Sequence, residues 1–209
     1  MVQVGIIGAG RIGQVHMRGI ASGVPDAVIR SLADPAISPE AEQLAHSIGI
    51  PNIVSDYHDI IDDPKIDAIL LCSPTNLHAQ ISLEAIRAGK HVFCEKPVDH
   101  DLARIEQVEA ALKASDKNLK YQVGFNRRYD HNFRALRQAV LDGKVGDVQF
   151  VRVSSRDPQV PHAGFVQSSG GLFLDMMIHD LDMIRYLSGS EVVEVYAQGA
   201  VLIDPAIGA

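Results

Sequence analysis

Near residue 180 the chain sets out Asp175, His179, Asp182 and Tyr186 at steps of four, three and four residues. At about 100° per residue these positions fall on one narrow helical stripe. Met176, Met177, Ile178, Leu181, Met183, Ile184 and Leu187 flank it, and a helix apolar around most of its circumference is expected to be buried. Two carboxylates and an imidazole on a buried line are costly unless they have partners, which makes such a cluster a candidate for proton chemistry. His179 could take a proton from a hydroxyl while Asp175, one turn back, orients the ring. A hydrogen-bonded core histidine is the plainer reading. Asp-x3-His-x2-Asp could also present metal ligands on one face, but no further cluster of Cys, His or acids obviously completes such a site, and no metal is expected.

A second candidate is Lys96, at the end of a strand in Cys94-Glu95-Lys96-Pro97. An ammonium at a strand end that faces a cofactor could hydrogen-bond a substrate oxygen and shuttle a proton. Pro97 biases Lys96 toward an extended backbone, and the Lys96-Pro97 bond is a candidate for the cis form. As a bare tripeptide this would be a surface lysine.

The third candidate is Gly8-Ala9-Gly10-Arg11-Ile12-Gly13, a G-x-G-x-x-G that follows an apolar strand and opens a helix. Gly8 allows a tight turn, Gly10 lets the backbone approach a pyrophosphate, and Gly13 lets helix and strand pack closely. The helix N-terminus then faces the phosphates. Asp34 closes the next strand, 21 positions beyond Gly13, where it could accept hydrogen bonds from the adenosine ribose. An acid there repels a 2′-phosphate, so the expected cofactor is NAD. The bland alternative is a structural turn with a surface aspartate. Ser73, Thr75, Asn76 and His78 follow another strand at its carboxyl end, on the rim where open α/β sheets bind ligands, and Glu95 and Lys96 share that rim. Contact with the cofactor is expected, together with or instead of helix capping by Thr75 or Asn76.

The elements that must position these groups alternate. Strands are expected over 2–7, 28–33, 67–72, 91–94 and 121–125, and helices over 11–21, 39–47, 77–88 and 102–114. That order argues for a parallel sheet with helices on both faces, in a dinucleotide-binding domain over 1–125. The pattern then changes. A helix over 131–141, an alternating strand over 148–153, a loop over 157–171, a helix over 172–187 and a strand over 192–202 suggest the beginning of a second, α+β domain over 126–209. Two strands make a poor independent sheet, so the chain is expected to be a fragment of a longer protein.

Bulk properties exclude several classes. Net charge is −7 with acids and bases intermixed, which leaves no basic footprint for nucleic acid or an anionic membrane. Apolar runs such as 68–72 are far too short to span a bilayer. The chain starts directly in a strand and glycine loop, so no signal peptide is expected. The two cysteines, Cys72 and Cys94, lie in separate strands and fit reduced thiols in a cytoplasmic protein.

The glycine loop with His16, Glu95-Lys96-Pro97, Gly124-Phe125-Asn126-Arg127-Arg128 and Asp175-x3-His179 together resemble the Gfo/Idh/MocA family of oxidoreductases. Ser155-Arg156-Asp157-Pro158 and the run 170–180 look like its inositol 2-dehydrogenases. The resemblance implies NAD-dependent oxidation of a ring hydroxyl of myo-inositol, or a related cyclitol, to the ketone. Carried over position by position, it implies a catalytic group of Lys96, Asp175 and His179, with Arg127, Asp157 and Asp182 near the substrate hydroxyls. It also implies a homo-oligomer, a tetramer by family habit, and a second domain built on a large, mostly antiparallel sheet of which this chain holds the start. Other readings are another NAD-linked sugar dehydrogenase, a redox-neutral enzyme that uses bound NAD transiently, and a nucleotide-binding module without catalysis.

Overall fold

Residues 1–159, 161, 164, 166, 169–202 and 205 are described by a computed structural model. The chain divides into two compact units, Met1–Gly124 and Phe125–Ala209.

The first unit alternates strands and helices in the order β1 (Val2–Ile7), α1 (Arg11–Gly23), β2 (Ala27–Ala33), α2 (Pro39–Ser47), β3 (Asn52–Val54), α3 (His58–Ile61), β4 (Ala68–Leu71), α4 (Thr75–Arg87), β5 (His91–Cys94), α5 (Leu102–Ala114) and β6 (Tyr121–Val123). All six strands are parallel, in the order β3-β2-β1-β4-β5-β6. This is the doubly wound Rossmann arrangement, whose crevice opens where the order reverses beside β1. The strands are short continuous apolar runs because both faces are covered. Val4, Ile6 and Leu70 join one core with Met17, Ala41 and Ala45. Ile7, Ile69 and Leu71 turn the other way and join Ile60, Ile81 and Ala85. Local chemistry sets the helix ends. Ser38 Oγ accepts from Ala41 N–H ahead of Pro39, and Asp101 Oδ1 accepts from Ala103 N–H. The three-residue β3 and the single-turn α3 are not foreseen by hydrophobic periodicity, which needs longer runs to register.

The second unit opens with a 3₁₀ turn (Asn126–Tyr129) and α6 (His131–Leu141), whose N-cap Asp130 accepts from Asn132 and Phe133 N–H. A π-helical turn (Leu172–Met177) leads into α7 (Ile178–Ser188), which stops at Gly189 in the left-handed conformation (φ 70°). Three expectations need correction here. Among the described residues this unit contains no strand, although strands were expected over 148–153 and 192–202. Alternation selects a face, but a strand forms only where a neighbour takes its N–H and C=O groups; without one, Phe150 is 83% and Val193 98% exposed. The antiparallel sheet is therefore not seen in the described residues. Secondly, the helix expected over 172–187 is not one regular α-helix. Thirdly, it is not buried all round, since Leu172, Phe173 and Leu181 are exposed. Part of the loop expected over 157–171 lies outside the described residues.

Candidate active site

The first unit gathers one rim from the carboxyl ends of four strands. Gly8 turns the chain off β1 at φ 101°, and a Cβ there would lie 2.5 Å from the Cys72 carbonyl. Only glycine meets both conditions without strain. A Cβ on Gly13 would lie 2.1 Å from Gly8 O, so α1 packs directly on its own loop. A Cβ on Gly10 would meet nothing within 4 Å. The approach to the α1 N-terminus thus stays open, with no side-chain cap and no acid in the first turn. These are the three glycine roles that a pyrophosphate cradle needs. Ala9 is buried, Ile12 half-buried and Arg11 exposed.

Asp34 follows the last residue of β2. Its Oδ2 accepts from Ala9 N–H at 2.7 Å and its Oδ1 from Ala36 N–H at 2.8 Å. The acid expected at the ribose also fastens the glycine loop, while each oxygen keeps a lone pair for a further donor.

Ser73 ends the turn after β4, next to Gly8. Its Oγ is buried and, among the described residues, has no hydrogen-bond partner; a ligand donor or acceptor at this rim would satisfy it. Thr75 is the first residue of α4 and Asn76 the second. The capping position falls on Pro74 with no side-chain cap bond, so neither residue caps the helix. His78 does not reach the rim surface. It is buried, with one ring nitrogen 2.8 Å from Pro97 O and the other 2.8 Å from Ser73 O.

After β5, Glu95 Oε1 lies 2.6 Å from His16 Nε2 of α1. Gly124 leaves the room the Glu95 carboxylate occupies, because a Cβ there would lie 3.0 Å from its Cδ. Lys96 is half-buried and its bond to Pro97 is cis.

In the second unit, Asp175 lies in the π turn and His179 in α7, both half-buried. The 100° step that aligned them holds only from Ile178 onward, because a π turn closes i→i+5 bonds and resets the register. Asp157 is exposed. Asp182 is buried, and both its oxygens receive the Arg128 guanidinium, Nε to Oδ2 at 2.9 Å and Nη2 to Oδ1 at 2.7 Å. In the described structure it serves this ion pair. The pairing also raises Arg128 above its ordinary pKa, chiefly through the Asp182 hydrogen bonds. Arg127 pairs with Asp180 and donates to Ser155 Oγ at 3.3 Å. Asp180 lies off the helical stripe of Asp175, His179 and Asp182; the adjacent Arg127-Arg128 and the doublet Asp180-x-Asp182 are the signal for this pairing in the sequence.

The family description "Oxidoreductase family, NAD-binding Rossmann fold" matches residues 2–125, and "GFO/IDH/MocA C-terminal domain" matches 133–209. The chain is 47% identical over 208 residues to the inositol 2-dehydrogenase of Rhizobium meliloti, covering 99% of this chain and 61% of that protein. It is 41% identical over 207 residues to the myo-inositol 2-dehydrogenase of Thermotoga maritima, with the same two coverages. A crystal structure of scyllo-inositol dehydrogenase from Lactobacillus casei with bound NAD(H) and scyllo-inositol superposes with a TM-score of 0.88 at 36% identity, covering all of this chain and 62% of that one. The chain thus spans about three fifths of the length of these relatives. Its first unit carries the NAD-binding Rossmann fold, and the chain belongs to the Gfo/Idh/MocA oxidoreductase family.

Proposed function

We propose that the protein oxidises a ring hydroxyl of myo-inositol, or of a closely related cyclitol, to the ketone. The observation that carries this reading is identity of 41–47% across 99% of the chain to proteins named as inositol 2-dehydrogenases. Bound NAD supplies the hydride acceptor. Residues 1–125 hold it, with Gly8 to Gly13 along the pyrophosphate, Asp34 at the adenosine ribose, and Ser73, Thr75, Asn76, Glu95 and Lys96 on the remaining rim. His179 takes the hydroxyl proton, Asp175 orients its ring, and Lys96 donates to the developing alkoxide and stabilises its charge. Arg127, Asp157 and Asp182 lie near the other substrate hydroxyls. Residues 126–209 contribute part of a substrate-binding and oligomerisation domain whose sheet is mostly antiparallel. The assembly is a cytoplasmic homo-oligomer. No described helix is long and apolar enough to cross a membrane.

The test is a panel of cyclitols and aldoses supplied with NAD to the whole protein, read by NADH formation. Turnover of myo-inositol above the aldoses is expected. Preference for an aldose would make it a sugar dehydrogenase of the same family. Product formation without net NADH would indicate transient use of the cofactor, and NAD binding without turnover would indicate a binding module.

A further inference from the structure

His78 is 2% exposed on α4, and the chemistry of the rim gives it no direct ligand to hold. Its Nδ1 lies 2.8 Å from Pro97 O and its Nε2 2.8 Å from Ser73 O. Carbonyl oxygens only accept hydrogen bonds. A neutral imidazole has one N–H; it would serve one carbonyl and aim a lone pair at the other. A ring that serves both donates from both nitrogens. Burying a cation is costly without such partners, and hydrogen bonds from an ionised donor are roughly twice as strong as neutral ones. The two carbonyls belong to different turns. Ser73 follows β4 and Pro97 follows β5, its hydrogen-bonded neighbour in the sheet. One buried ring therefore spans two adjacent rim turns and ends one residue from Lys96.

We propose that His78 is a positioning residue: protonated on both nitrogens, its ring clamps the turn after β4 to the turn after β5 and sets where Lys96 stands on the cofactor rim. The proposal rests on the reading of Lys96 as the group that meets the reacting oxygen. Clamps of this kind matter because a displacement of about 1 Å at a reacting group can cost about 100-fold in rate.

The experiment has three readouts. In the unmodified chain, ¹⁵N spectra of the histidine rings at neutral pH should show hydrogens on both nitrogens of His78. A single N–H there overturns the proposal. In His78→Phe, amide exchange at Ser73, Thr75, Lys96 and Val98 should quicken at least about tenfold while that of β1 and β2 stays unchanged. Unchanged exchange at the rim also overturns it. In the whole protein, His78→Phe should lower kcat about 10–100-fold with a much smaller change in NAD affinity, and His78→Gln, which keeps N–H donors, should recover part of the loss. Equal loss in Phe and Gln variants, tracking lost thermal stability, would mean bulk packing and count against the clamp. If His78→Phe fails to fold, the ring spectra and the Gln variant still decide. If Lys96→Ala leaves turnover intact, the role of Lys96 fails, while the spectra and exchange rates judge the clamp separately.

Discussion

The Asp34 carboxylate accepts the Ala9 N–H at 2.7 Å, tying the end of β2 to the turn of the glycine loop. The side chain proposed to meet the adenosine ribose therefore also holds the loop. Replacing Asp34 with Ser should narrow the preference for NAD over NADP, because the charge that repels a 2′-phosphate is gone. It should also weaken NAD itself by about tenfold, since a hydrogen bond to a charged acceptor is worth about 1.5–3 kcal/mol and part of that orders the loop. Dissociation constants for both cofactors check this. Equal affinity of the unsubstituted protein for NAD and NADP would remove Asp34 from the discrimination.

His179→Ala should lower turnover by about 10²–10⁴-fold, the usual worth of a positioned base. NAD affinity should hardly change, because the cofactor sits on the first unit. Asp175→Asn should cost less, since it disturbs the ring and leaves the base in place. Turnover and NAD binding are measured on the same preparations. Near-normal turnover in His179→Ala would make Lys96 the base.

Arg128 and Asp182 should be strongly coupled. Asp182 is buried while Arg128 is partly exposed and lies 5.2 Å over the Tyr186 ring. Arg128→Met leaves a buried carboxylate without its partner and should destabilise the chain by about 2–4 kcal/mol. Adding Asp182→Leu should restore much of that, because the uncompensated charge is removed. Denaturant melts of the four species give the coupling; additive losses would show that the pair is not an energetic unit.

Both thiols should be inert in the folded chain. Burial, the largest cause, pushes Cys94 up to about 12 and Cys72 up as well. The thiolate is the reactive form, so alkylation at pH 8 should be far slower than in denaturant. The folded value is raised, so the neutral thiol favours folding; that contribution is full below the unfolded value of about 8.5 and is lost as pH rises toward 12. Mass spectrometry of timed iodoacetamide reactions checks it, and rapid native labelling of Cys94 would refute its burial.

The parallel sheet and the glycine loop are legible in the amino-acid sequence because their causes are local. Two-sided apolar strands, helix stop signals and the steric needs of Gly8 and Gly13 act within a few residues, and the alternation that reads as a doubly wound sheet emerges as one. What each polar side chain meets was decided only by tertiary structure. Asp34 meets Ala9 across 25 positions, and Arg128 meets Asp182 across 54. His78 turns inward to two carbonyls rather than outward to the rim. The π turn before α7 takes Asp175 off the constant helical step that its spacing from His179 suggests. Residues 148–153 and 192–202 carry suitable side chains yet form no strand in the described structure. A side chain's type and spacing say which partners it could accept; burial of distant segments against one another selects the partner, since each buried polar group settles on whichever group folding brings within about 3 Å.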